Sequence, residues 1–162
     1  MLTVEDVPQN IVTWILWFLL DVVVMLSIIA SGNKRPWLAM SFVFGAFSVS
    51  LILISKGMWK WGLVETLAVS GCVFSLIVWK AIGPKAAIIA STMAMLIAGL
   101  PATYDAWMFP NPASWWLWTG VAFGGLLNIF GAKGWTIQDS FLPIGSFLYN
   151  ILMTVLVLRT TI

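Results

Sequence analysis

Long apolar runs alternate with short polar breaks along this chain, and six runs approach the ~20 residues that carry a helix across a bilayer. They cover residues 11–30, 37–55, 62–81, 85 to about 103, 115–131 and 141–158. The breaks read SGNKRP, KGMWKWG, AIGPK, MFPNPAS and GAKGWTIQD. Glycine, proline, asparagine and lysine in such breaks mark helix ends that reach water. AIGPK is the tightest connection, so the third and fourth helices are predicted to be antiparallel neighbours. The pattern predicts an all-α, polytopic integral membrane protein with six transmembrane helices in a single membrane domain.

Tryptophan supports this map. The chain has 11, all within about a turn or two of a proposed helix end, where an indole ring is buried while its N–H stays wet. Trp17 and Trp118 lie deepest.

Composition changes the solvent. The chain of 162 residues is 61% hydrophobic and 9% charged, with a mean hydropathy of +1.01, whereas soluble domains are about 45–50% apolar and about 25% charged. Lipid is therefore the expected surrounding. A net charge of +2, scattered over helix ends, predicts neither a nucleic-acid partner nor a polybasic lipid switch. A single cysteine, Cys72, precludes an internal disulfide and reads as a small buried hydrophobe. Histidine is absent, which removes the commonest transition-metal ligand and general base. No cofactor and no catalytic residue is expected. An enzyme built on Asp21 and Glu65 is disfavoured, because they fall on different helices at different depths. The acidic start MLTVEDVPQN and the length of the first apolar run do not read as a signal peptide. Lys34, Arg35, Lys80, Lys85 and Lys133 collect on one side, against Lys56, Lys60 and Arg159 on the other. That excess predicts the first side in the cytoplasm and both termini outside. The expected location is a prokaryotic inner membrane.

The chain also repeats itself. TWILW at 13–17 and SWWLW at 114–118 differ in position by 101. Each is followed by an apolar stretch and a related loop, SGNKRPW or GAKGW, then by SF at 41–42 or 140–141, and by Gly45 or Gly145. Two spans thus occur twice, separated by the third and fourth helices. Both copies begin on the same side, the arrangement of parallel repeats related by an axis along the membrane normal.

With Pro8-Gln9 followed by TWxLW, and that string repeated beyond an intervening helix, the chain resembles the PQ-loop superfamily that includes the SWEET and SemiSWEET sugar transporters. The resemblance implies two three-helix bundles joined by a linker helix, with a proline breaking the first helix of each. GLPATYDAW resembles such a proline-broken end, with Pro101 as the family proline. SWWLW would open the second helix of that bundle and 141–158 would be its third. Repeat A would cover about 8–55, the linker helix about 62–81 and the second bundle about 85–160. At the front the chain departs from the family: VPQNIVTWILW already reads as a second helix, so the first bundle lacks a helix and Pro8-Gln9 misses the mid-membrane proline position. The expected partners are the lipid bilayer and either a second copy or other membrane subunits that complete this bundle. The family's orientation opposes the one the charges predict.

A charged residue in a span costs roughly 2.5–3.5 kcal/mol, so it faces protein or water. Asp21 lies one turn beyond Trp17, on the same helix face, and its repeat counterpart is Ala122. Glu65 lies just inside its helix, and Asp105 follows Pro101 by four residues near a helix end. Asn128 stands late in the fifth helix and Asn150 midway in the sixth, beside Tyr149. Ser27 and Ser50 are their repeat counterparts. The family resemblance implies that Asn150 and Trp118 line a sugar pocket from the second bundle, with Ser50 and Trp17 as counterparts in the first. The candidate substrate-binding set is Trp17, Asp21, Ser50, Trp118, Asn128 and Asn150. The competing structural role for the polar members is interhelical hydrogen bonding, worth about 0.6 kcal/mol each. Pro143 is predicted to bend the sixth helix, and Pro101 and Pro143 are the candidate hinges. The functional expectation is a small PQ-loop-like transporter of a polar uncharged metabolite, working by alternating access. The alternative is a non-catalytic accessory or structural subunit of a larger membrane complex.

Overall fold

A computed structural model describes residues 10–55 and 59–159, the side chain of Asp105 excepted. Pro8, Gln9 and Lys56 lie outside the described residues. Those described hold seven α-helices and no strand: α1 (Ile11–Ala30), α2 (Trp37–Leu53), α3 (Leu63–Ile82), α4 (Pro84–Ala98), α5 (Leu100–Met108), α6 (Trp115–Gly131) and α7 (Leu142–Leu158). Helix thus fills all six apolar runs. Length and apolarity mark four stretches as able to cross a membrane, namely Ile11–Ala30, Leu63–Ile82, Pro84–Met108 and Ile137–Leu158. Helices α2 and α6 have 17 residues each, short of the ~20 that a full crossing takes.

Each boundary has a local cause. Asn10 caps α1, its Oδ1 accepting from the Val12 N–H at 3.2 Å. The same side chain reaches the start of α3, where its Nδ2 donates to the Lys60 carbonyl at 2.6 Å and to Glu65 Oε1 at 2.7 Å. Glu65 Oε2 accepts from the Gly62 N–H at 2.8 Å, the return half of a capping box. The Thr13 hydroxyl donates to Glu65 Oε1. One carboxylate therefore fastens the N-termini of α1 and α3 together, at helix ends whose dipoles favour negative charge.

Between α3 and α4 stands Gly83 alone, at φ +117°, a conformation that a side chain would resist. Pro84 then opens α4, in the position where a missing N–H is harmless. The fourth apolar run is longer than the sequence pattern predicts and is interrupted. It breaks at Gly99, between α4 and α5, two residues ahead of Pro101, whose ring nitrogen cannot donate to the carbonyl four residues back. At Pro143 the irregularity takes the form of a π-turn, Ile137–Phe141, directly before α7. The proline therefore sits at the entry of α7, where it needs no bend in the helix.

Three hairpins, α1–α2, α3–α4 and α6–α7, are the main packing units. Helix α1 also packs against α3 and α4, and α4 against α7. Leu16, Leu20, Ala68, Ala94 and Ala98 join α1, α3 and α4. Val24, Ile28, Leu38, Ala39, Ile88 and Leu142 join α1, α2, α4 and the start of α7. Across the loops, Asn33 Nδ2 donates to Asp139 Oδ1 at 2.8 Å and to the Gln138 carbonyl at 3.1 Å. This latch ties the α1–α2 loop to the turn before α7. At the other end the Arg159 guanidinium lies 4.0 Å over the Trp107 ring.

Surface polarity is that of a protein in lipid. Phe44, Ile52, Phe74, Phe130, Leu148 and Val155 are each more than half exposed, whereas Ser27, Ser75, Ser91 and Thr92 are buried. Water would penalise an apolar surface of this extent; between packed helices in lipid, small residues allow close approach. Most buried hydroxyls bond within their own helix: Ser27 to the Val23 carbonyl at 2.7 Å, Ser75 to that of Gly71 at 2.7 Å, and Ser91 to that of Ala87 at 2.6 Å. They spend their donors locally and bridge no neighbouring helix.

The Glu65 latch is testable. Glu65→Ala leaves the donors of Asn10, Thr13 and Gly62 without their acceptor. At roughly 1–3 kcal/mol for unmet buried groups, it should lower the melting temperature of the purified protein by about 2–10 °C. Glu65→Gln, which keeps one acceptor oxygen, should fall by less. An unchanged melting temperature in Glu65→Ala would show that the latch does not hold the helix ends.

Candidate functional site

Hairpins α1–α2 and α6–α7 face each other across α4, and a cavity of about 560 Å³ lies between them. That volume is within the ~300–1,000 Å³ typical of small-molecule sites. Helix α1 contributes Trp14, Trp17 and Asp21, α2 adds Gly45 and Val49, α4 supplies Thr92, and Gly99 lines it from the break between α4 and α5. Trp118 comes from α6, and Ser146, Tyr149 and Asn150 come from α7. One deep tryptophan thus enters from each hairpin.

The aromatic walls are ordered by mutual contact. Trp14 and Trp17 meet edge to face at 5.5 Å, and Trp118 meets Tyr149 edge to face at 6.4 Å. Both separations fall in the favourable range for such pairs. Tyr149 is anchored at its far end, where its hydroxyl donates to the Gly99 carbonyl at 3.0 Å. Only glycine permits this approach: a Cβ at position 99 would stand 2.6 Å from Tyr149 Oη. The break in the fourth apolar run therefore positions a cavity wall.

The polar groups divide into spent and unspent. Asn150 Nδ2 donates to the Ser146 carbonyl at 2.8 Å and lies 3.4 Å from Ser146 Oγ. A carbonyl only accepts, so the amide nitrogen must face it, and Oδ1 is the atom left for an occupant. Asp21 is 5% exposed and Thr92 2%. Asp21 Oδ1, Thr92 Oγ1 and Trp17 Nε1 are buried with no hydrogen-bond partner among the described residues. Such groups are uncommon in folded proteins, because each forfeits its hydration without replacement.

Four of the six predicted substrate-binding residues, Trp17, Asp21, Trp118 and Asn150, come together on this cavity. Ser50 and Asn128 do not line it. Ser50 Oγ donates to the Ala46 carbonyl at 2.8 Å, and Asn128 Nδ2 to the Gly124 carbonyl at 3.1 Å. Each donor is spent on a carbonyl one turn back in its own helix, one turn beyond the lining residues Ala46 and Gly124. The candidate hinges also lie off its lining: Pro101 is in α5, and Pro143 is buried at the start of α7. Glu65 belongs to the helix-end latch, away from the cavity. The sequence reading missed Trp14, assigned to the interface belt, along with Thr92, Ser146 and Tyr149 as a wall. Ser146 had a usable signal in its place one turn before Asn150. Thr92 had only its hydroxyl midway along an apolar run.

Thiol chemistry distinguishes a wet cavity from a lipid-facing surface. In a Cys72→Ala background, Gly45→Cys and Val121→Cys, both on the cavity lining, should react with a charged methanethiosulfonate at least ~10-fold faster than Phe74→Cys and Val155→Cys on the outer faces, since the thiolate is the reactive form and needs water to ionise. Equal rates would show that the space between the hairpins is not water-filled.

No protein-family model, curated protein or solved structure matches this chain.

Proposed function

We propose that this chain is a small PQ-loop-like transporter that moves a polar uncharged metabolite by alternating access. The observation that carries the reading is the cavity itself, placed where the two Trp-bearing hairpins meet and lined by Trp17, Trp118, Asp21 and Asn150. Indole faces stack on the C–H faces of polar solutes, while a few placed polar atoms orient them, the usual composition of a small-molecule site. The recurrence of TWILW and SWWLW supports treating the hairpins as related halves, and transport sites form where such halves meet.

In this mechanism the hairpins rock about the cavity floor formed by α4. The Asn33–Asp139 latch holds the two loops together at one end, so exposure of the cavity there requires its release. The interruption at Gly99, ahead of Pro101, is the flexible point on the other side. There the Tyr149 hydroxyl and the Thr103 side chain and N–H all converge on one carbonyl, a crowded acceptor that can exchange partners as the helix flexes.

Uptake by proteoliposomes, screened over radiolabelled polar metabolites, tests the reading. Asn150→Ala and Trp118→Ala should each cut initial uptake at least ~10-fold, the loss of one good hydrogen bond or stacking contact when a substrate is fully enclosed. Ser50→Ala and Asn128→Ala, whose side chains are occupied elsewhere, should stay within about twofold of the native rate. Unaltered uptake in Asn150→Ala and Trp118→Ala would remove the cavity from the transport path. Purification in fixed ratio with other membrane chains would favour an accessory subunit instead.

A further inference from the structure

Three carboxylates have described side chains, and two of them are fully engaged. Glu65 accepts from Asn10, Thr13 and Gly62. Asp139 accepts from Asn33 and Thr136. Asp21 differs, because its Oδ1 is buried on the cavity with no donor among the described residues. Among the described residues no lysine or arginine lines the cavity, so none of them is placed to neutralise it there.

The surroundings select the missing partner. Trp17 stands one turn from Asp21 on the same helix, Trp118 enters from the opposite hairpin, and Tyr149 abuts Trp118. Aromatic faces carry negative quadrupole potential and attract a weakly hydrated organic cation, while a carboxylate in low dielectric attracts it further. The same groups repel anions. A buried carboxylate facing only neutral groups pays for its desolvation without return, and an organic cation supplies that return without a protein counter-charge. The remaining polar atoms describe the rest of the occupant. Among the described residues the donor Trp17 Nε1 and the hydroxyl Thr92 Oγ1, which can donate or accept, have no partner, and Asn150 Oδ1 is an acceptor, so a hydroxyl group, which both donates and accepts, complements them.

We propose that the cavity binds a small hydroxylated organic monocation, of alkylammonium-alcohol type, with Asp21 as its counter-ion and the faces of Trp17 and Trp118 against its alkyl groups. This rests on the transport reading of the same cavity and changes its substrate class from an uncharged polar metabolite to an organic cation.

The test compares choline with its uncharged carbon isostere dimethylbutanol, by isothermal titration of the purified full chain in nanodiscs. The two probes match in shape and hydroxyl group and differ in charge. Choline should bind at least ~10-fold tighter than dimethylbutanol, the scale expected of a desolvated charge pair with cation–π contact. Asp21→Asn, nearly isosteric and checked for an unchanged melting temperature, should remove that preference, and Asp21→Glu should keep it. Equal binding of both probes, lost in Trp118→Ala and unmoved by Asp21→Asn, would overturn the cation assignment and leave the transport site standing. Failure of both probes to bind the native chain, or binding insensitive to Asp21→Asn and Trp118→Ala alike, would overturn both.

Discussion

Hydrocarbon offers no hydrogen bonds, so every polar group that enters it must find its partner inside the chain. Much of this structure follows from that constraint. Buried serines return their hydroxyls to carbonyls of their own helix. The Glu65 carboxylate gathers donors from three places at the paired ends of α1 and α3. Asn33 gathers the loops at the opposite end. With these groups spent locally, the helices pack through small residues and leave their large apolar side chains to the lipid. Against that background, three unspent groups, Asp21 Oδ1, Thr92 Oγ1 and Trp17 Nε1, gather on one cavity, and the solute proposed above would supply their partners.

The fold places that cavity by economy of connection. A one-residue link at Gly83 forces α3 and α4 into a tight hairpin. Helix α4 packs against α1 on one side and α7 on the other. It thereby becomes the floor between the two hairpins, which also meet through Leu142 and the Asn33–Asp139 latch. The interruption at Gly99 then brings a bare backbone within reach of Tyr149, fixing the ring that meets Trp118. Cavity shape thus depends on one missing side chain and one break in a helix.

Helix positions were legible from the sequence, because a lipid-facing helix must be apolar over most of its length and its ends must carry turn formers. The break inside the fourth run was less so: Pro101 marked its neighbourhood, but Gly99 acts through contact with Tyr149, 50 residues away, which no local pattern encodes. Within the candidate site, Trp17 and Asp21 were legible as neighbours on one helix face, and Trp118 and Asn150 through their depth and chemistry. Ser50 and Asn128 have similar chemistry but lie beyond the lining; their donors are absorbed by carbonyls one turn back, a fate that residue type does not reveal. Thr92 was overlooked for the converse reason, since a hydroxyl in an apolar helix usually satisfies itself, as the adjacent Ser91 does, and this one does not.

The proposed function requires that the space between the two hairpins hold a small solute. Native mass spectrometry of the chain, released from nanodiscs formed directly from its host membrane, tests it most directly. The chain should emerge alone or as a homo-oligomer, carrying a non-lipid adduct of small-metabolite mass that Trp118→Ala no longer retains. A stable ratio with other membrane chains, and no small-molecule adduct on either form, would contradict it.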